Sequence, residues 1–265
     1  VGVAMVSSSI IAPRYGWRFS FFVLGAIGLV ATAFLVRMRE PVRKRVAEKG
    51  SISMGSLVRE LGRALRERRA LVLALIGGSL LCYGSGAALL IVTWLVEERG
   101  VPYANAAFRA GIVGVLAGFI GNISGGAFGD FCARRLRGGR LWSLVIMTAF
   151  FTLPAWLFYT IRPNTGLFYV CWFFTAAGTT AWFGSLFSAY QELAPAQVRS
   201  TIVAFALLVL NLLGVGPGPL ITGMIGDVRN LSSGLLLSVG ITALAIIPFA
   251  LAARSESRLL AKTGT

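Results

Sequence analysis

The stretch GGAFGDFCARRLRGGR, residues 125–140, decides how the rest of the chain is read. It holds five glycines, four arginines and one acid, Asp130. Glycines beside arginines can cradle a phosphate, follow a nucleic-acid backbone, or form a tight turn between two helices. A Walker-type phosphate loop needs Gly-x4-Gly-Lys-Ser/Thr after a strand, and this stretch has neither that lysine nor a strand before it. A dinucleotide fold needs a βαβ unit that the chain does not supply. The flanks are long apolar runs, 105–129 on one side and 141–161 on the other. The stretch therefore reads as a short turn between two membrane helices.

Composition agrees with that reading. Only 13% of the 265 residues are charged and 56% are hydrophobic, with a mean hydropathy of +0.78. Soluble domains carry about 25% charged residues. Beyond the two flanks, apolar segments occupy about 17–36, 70–96, 167–190, 201–226 and 235–253. Each is long enough for a hydrocarbon core that takes about 20 helical residues. Helix is the expected state, because a helix satisfies its own backbone polar groups in lipid. The expected fold class is an all-α integral membrane protein. The opening run VGVAMVSSSIIAP reads as the second half of a transmembrane helix whose start is missing, or as a short re-entrant segment.

The net charge of +15 would suggest nucleic acid on a soluble protein. Here the basic residues lie between apolar spans, so no nucleic-acid partner is expected. Taking the gaps between spans alternately, one set holds nineteen Lys or Arg and the other six. The positive-inside rule places the richer set, and with it the C-terminus, in the cytoplasm. Eleven of the nineteen fall in residues 37–69, the one long polar connection. Within it Met54, Leu57, Val58, Leu61 and Leu65 share a helical face opposite arginines. That pattern suits a linker helix beneath the bundle or one lying on anionic lipid.

The chain has no histidine and three scattered cysteines, Cys82, Cys132 and Cys171. The commonest general base and metal ligand are thereby absent. No catalytic residue, metal site or cofactor is expected.

Gly126, Asp130, Arg134 and Arg135 match Gly-x3-Asp-(Arg/Lys)-x-Gly-Arg-(Arg/Lys), and the turn thereby resembles the signature loop of the major facilitator superfamily. Phe131 and Ala133 depart from the pattern, as the second copy of that loop, between helices 8 and 9, often does. RYGWRFSFFVLGAIGLV followed by VRMREP resembles the helix 5–6 turn, helix 6 and the entry to the central loop. The resemblance implies a major-facilitator-type bundle truncated at its N-terminus. It divides the chain into the end of helix 5 and helix 6 (1–36), a basic cytoplasmic loop (37–69), the six-helix C-terminal half (70–253) and a cytoplasmic tail (254–265). It implies a secondary transporter, symporter or antiporter, in the bacterial inner membrane, working on a small-molecule substrate with membrane lipid around it and needing the missing N-terminal half. Residues 189–227, above all Asn-Leu-Leu-Gly-x-Gly-x-Gly-Pro from Asn211, are similar to spinster-like transporters, which points to a lipid-like or organic-anion substrate.

The signature residues Gly126, Asp130, Arg134 and Arg135 form either a conformational latch, whose acid pairs with arginine or caps a helix end, or a plain structural turn. The family arrangement sets helices 7, 8, 10 and 11 around a central cavity. On that basis Tyr83, Asn122, Trp182, Tyr190 and Asn211 are the cavity candidates, with interhelical hydrogen bonding or packing as the other explanation of each. The run of glycines from Gly111 to Gly129 at spacings of three and four favours close helix packing. Gly214, Gly218 and Pro219 predict a bend, gating or static. Every acid lies near a helix end or in a loop, so if transport is proton-coupled the titrating group belongs to the missing half. A non-transporting scaffold and a membrane-embedded lipid enzyme are the alternatives, the latter lacking a nucleophile–base pair.

Overall fold

Each apolar segment becomes a helical span, and the breaks fall where backbone hydrogen bonding fails. The computed structural model describes residues 10–12, 14–36, 54–163, 165–195 and 198–263, with the side chains of 54, 56–58 and 259–263 excepted. The expected half-helix at 1–13 lies mostly outside the described residues. So do most of the central loop, the apolar side chains at Met54, Leu57 and Val58, and the last two residues of the tail.

The elements are α1 (Trp17–Val36), α2 (Met54–Glu67), α3 (Arg69–Ala87) with a 3-10 turn (Ala88–Leu90) into α4 (Ile91–Glu97), and α5 (Tyr103–Arg135). There follow α6 (Gly139–Thr160), α7 (Gly166–Leu193), α8 (Arg199–Leu210), a π turn (Asn211–Val215), α9 (Pro217–Val228), α10 (Leu231–Ala243) and α11 (Ile246–Thr263). Together they make seven helical spans long and apolar enough to cross a membrane among the described residues. Only Ser20 of α1 is buried, whereas half of the best apolar window of the α3–α4 span is. α1 thus contributes little to the core, which belongs to the six spans after it.

The opening stretch is more helical than expected. α5 continues to Arg135, so Asp130, Arg134 and Arg135 occupy its last turns, and the connection is only Leu136–Gly138. No breaker occurs before Gly138, and arginines in a last turn suit the negative end of the helix dipole. Gly138 has φ +71°, a left-handed conformation that favours glycine. Ser257 Oγ of α11 shares its proton between Arg137 O at 2.8 Å and Ala253 O at 2.7 Å, which links the turn to the last helix.

The last span, expected as one helix, divides at Leu244–Ala245. Pro248 has no N–H to give the Leu244 carbonyl, which instead accepts from Ile247 N at 3.1 Å. Thr165 and Asn230 cap α7 and α10, accepting from Phe168 N at 3.2 Å and Ser233 N at 2.8 Å.

Two cores hold the six spans. At the arginine-rich end Leu71, Leu144, Leu186, Tyr190, Ile202 and Phe249 are almost fully buried. At the far end Trp94, Phe158, Phe168, Trp172 and Leu235 form the second core. α2 lies under the first, with Ala64 buried and Leu61 and Leu65 packed on it while Arg59, Arg63 and Arg66 face outward. α5 and α7 approach most closely. A Cβ on Gly121 would meet Ala177 O at 2.7 Å, and one on Gly125 would overlap the Ala181 backbone.

Candidate functional site

Beside the far-end core the packing opens. A groove of about 300 Å³ lies on the seam of α3, α5 and α7, with the far end of α6 closing it. Ser85, Thr175, Thr179 and Thr180 give it hydroxyls, and Trp172 and Phe183 give it rings. Five of these six lie on α7 at helical spacings of three and four, which is one stripe of the helix. Ser85 arrives from α3, its Oγ 3.4 Å from both Leu81 O and Thr179 O. α7 can present that stripe because its opposite contact, with the small residues of α5, needs no bulky side chain.

A second cavity, about 80 Å³, lies deeper between α3, α6, α7 and α10. It shares Ser85, Ala88, Tyr159, Thr175 and Thr179 with the groove, so the two voids adjoin there.

The far end is tied by a carboxylate. Glu98 accepts from Ser232 N at 3.1 Å and also from Leu231 N and Ser232 Oγ, at the positive start of α10. Trp94 Nε1 donates to Ser232 Oγ at 2.7 Å. The Arg99 guanidinium sits 4.6 Å from the Trp94 ring and donates to Tyr159 O at 2.7 Å. Burial lowers the Arg99 pKa and the Glu98 charge works the other way, but a guanidinium stays protonated.

The five cavity candidates do not converge. Trp182 lines the deeper cavity, stacked on Phe183 at 4.0 Å. Tyr190 is fully buried in the first core and donates to Ala74 O at 3.1 Å. Tyr83 is buried and its hydroxyl has no partner among the described residues. Asn122 and Asn211 lie on exposed faces, and each amide donates to its own helix, to Gly118 O at 2.9 Å and Leu207 O at 2.8 Å. Ser85, Trp172, Thr175, Thr179, Thr180 and Phe183 were not among the candidates. The spacing on α7 carried a signal for five of them, whereas Ser85 depends on which helix packs against α7.

At the arginine-rich end Asp130 pairs with Arg140 at 2.8 Å, and Arg140 reaches Glu192 at 2.5 Å. One guanidinium of α6 therefore joins the ends of α5 and α7. Arg134 and Arg135 are exposed, the latter 5.9 Å from the Phe131 ring. Gly126 lies near Gly184, where α5 and α7 still run close together.

The expected bend takes the form of the π turn, in which Gly216 N donates to Asn211 O at 2.9 Å. Pro217 opens the next helix. Cβ atoms on Gly214 or Gly218 would fall 2.5 Å from Cys82 Cβ or Tyr83 O, and Pro219 Cδ is 3.1 Å from where a Gly86 Cβ would be. The bend is thus pressed against α3. No group of three or more metal-ligating side chains occurs among the described residues.

A sequence profile of the Major Facilitator Superfamily matches residues 1–219. An MFS-type efflux pump of Mycolicibacterium smegmatis is 22% identical over 234 residues, 84% of this chain and 51% of that protein. The chain therefore spans about half the length of this curated relative. In fold it is similar to a bacterial homolog of the human lysosomal transporter Spinster. The inward-facing, unoccupied crystal structure gives a TM-score of 0.70 at 19% identity, covering 92% of this chain and 60% of that one. The inward-facing, occupied structure gives 0.55 at 18% identity, covering 94% and 58%.

Proposed function

The chain belongs to the Major Facilitator Superfamily, and we propose that it is the C-terminal portion of a secondary transporter of a small organic solute, working by alternating access. The observation that carries this reading is the groove on α3, α5 and α7. It is a hydroxyl- and aromatic-lined hollow that borders the far-end core and adjoins the deeper cavity, whose lining touches both cores. Solute sites in such transporters lie near the bilayer midplane between two repeats. The groove supplies one wall, and a second six-helix half would supply the other.

In this reading α1 is the last helix of the first half and residues 37–69 are the connection between halves. The arginine-rich end and the C-terminus face the cytoplasm of a bacterial inner membrane. Asp130, Arg140 and Glu192 form an ion-paired clasp there that holds α5, α6 and α7 together in one state and can loosen in the other. The π turn and its glycines let the span from Arg199 to Val228 flex about a fixed contact with α3, since π turns mark functional bends. Arg134 and Arg135 remain free for the facing half or for lipid phosphates.

The test is uptake into proteoliposomes over a panel of radiolabelled organic anions, organic cations and lysolipids. One set holds residues 1–265 and the other holds the chain together with a complementary N-terminal half. Uptake by the pair and none by residues 1–265 alone supports the proposal. Vectorial uptake by residues 1–265 alone contradicts it.

A further inference from the structure

The deeper cavity is richer in hydrogen-bond acceptors than in donors. Thr148 and Thr152 on α6, Thr175 and Thr179 on α7, and Ser238 and Thr242 on α10 all line it. Each donates its hydroxyl proton to a carbonyl of its own helix, at 2.7–2.8 Å. Ser85 of α3 shares its proton between two carbonyls, both at 3.4 Å. A hydroxyl whose proton is committed offers only lone pairs. Around one void, from four helices, the lining thus presents seven acceptor oxygens, against two side-chain donors, the Tyr159 hydroxyl and the Trp182 indole N–H.

Four further facts narrow the ligand. Among the described residues no Lys or Arg lines the cavity, so an anion would find no charge to pair with and few donors. Among the described residues no Asp or Glu lines it either, which leaves a divalent cation without the carboxylates it takes. Most of the remaining wall is apolar, from Leu81, Ala88, Met147, Ala155 and Val239. The rings of Phe151, Tyr159 and Trp182 complete it, and ring faces attract cations.

We propose that this cavity is a subsite for the protonated head of a small organic amine. The hydroxyl oxygens accept its N–H groups, the rings neighbour its positive charge, and the aliphatic wall holds its alkyl stem. The head enters from the groove past Ser85, Ala88, Tyr159, Thr175 and Thr179, the residues common to both voids. Its use as a transport subsite rests on the reading under Proposed function, but binding does not require transport. Failure of uptake and failure of binding are therefore separate results.

The experiment is isothermal titration of n-butylammonium chloride into the 265-residue chain in nanodiscs of zwitterionic lipid at neutral pH, beside n-butyrate, n-butanol and sodium chloride. The proposal expects saturable binding of butylammonium and none of butyrate. Thr175→Val/Thr179→Val should weaken it at least tenfold, the weight of a hydrogen bond to a charged group. Thr175→Ser/Thr179→Ser should keep it within about threefold, since the hydroxyls remain. Thr160→Val, whose hydroxyl lies outside the cavity, should bind as the parent does. Absence of saturation, equal binding by butanol or butyrate, displacement by sodium at matched concentration, or an unchanged Kd in the valine pair would each overturn it. The comparison of butylammonium with butanol on the parent chain decides the matter even if the valine pair does not fold.

Discussion

Replacing Gly125 with alanine tests the close approach of α5 and α7 on which the groove depends. The added Cβ would lie 2.6 and 2.7 Å from the carbonyl carbon and Cα of Ala181 and closer still to its oxygen, all of them backbone atoms. Carbon pairs in good contact are about 3.5–4.0 Å apart. No rotamer change relieves the overlap, so the two helices must separate by about 1 Å. Overpacking of this kind costs about 1–3 kcal/mol. Gly118 is the matched control, because a Cβ there meets nothing within 4 Å. Both substitutions gain the preference of alanine over glycine in a helix, about 1 kcal/mol. The difference between the two variants therefore isolates the overlap. Thermal unfolding in detergent, followed by far-ultraviolet circular dichroism, should show Gly125→Ala melting roughly 3–10 °C below Gly118→Ala. If Gly125→Ala melts at or above Gly118→Ala, the α5–α7 packing described here is wrong.

Gly138→Ala should destabilise by about 1–2 kcal/mol, since it places a side chain at φ +71° and 3.1 Å from Ala253 O; the same melting assay checks it. Glu98→Gln should cost about 0.5–1 kcal/mol by removing the charge at the start of α10, and a loss that does not shrink in high salt would contradict the dipole argument. Arg140→Gln should lower stability by no more than about 1 kcal/mol, because the side chains of Asp130 and Glu192 are 52% and 57% exposed and such pairs are screened. A fall in Tm of more than about 10 °C would show that the clasp is instead a core element. Cys82, Cys132 and Cys171 are all buried, so the folded chain should react with a maleimide only as it unfolds, which mass spectrometry reads directly.

The spans were legible because membrane insertion demands about 20 apolar residues, and length alone then marks each helix. Their interruptions were less so. Pro248 lies in the sequence as an ordinary proline, and the division at Leu244 follows only from which carbonyl it leaves without a partner. The bend near Gly214 was legible from its glycines and prolines, but its π form depends on the contact of those glycines with α3. The signature residues were found, yet the partner of Asp130 was not. Arg140 lies one helix further on, and the pairing with Glu192 of α7 depends on tertiary packing.

Asn122 and Asn211 stood out because an unsatisfied amide in lipid is costly. Each instead closes on a carbonyl four residues back, a local solution open to an amide within a helix. The hydroxyls of α7 make the same local bond and still line the cavities, because an accepting oxygen remains. What separates the two cases is the face of the helix, which the stripe from Trp172 to Phe183 encodes by its spacing.

The central claim is that the groove is reached alternately from the two sides of the membrane. Ala176 lines the groove and makes no side-chain hydrogen bond that a cysteine would remove, and the buried native thiols leave a low background. The decisive measurement is labelling of Ala176→Cys, in the chain assembled with its complementary half, by a membrane-impermeant maleimide added to right-side-out or to inverted vesicles. Labelling from both sides is the predicted result. Labelling from one side only, or from neither, would contradict alternating access at this groove.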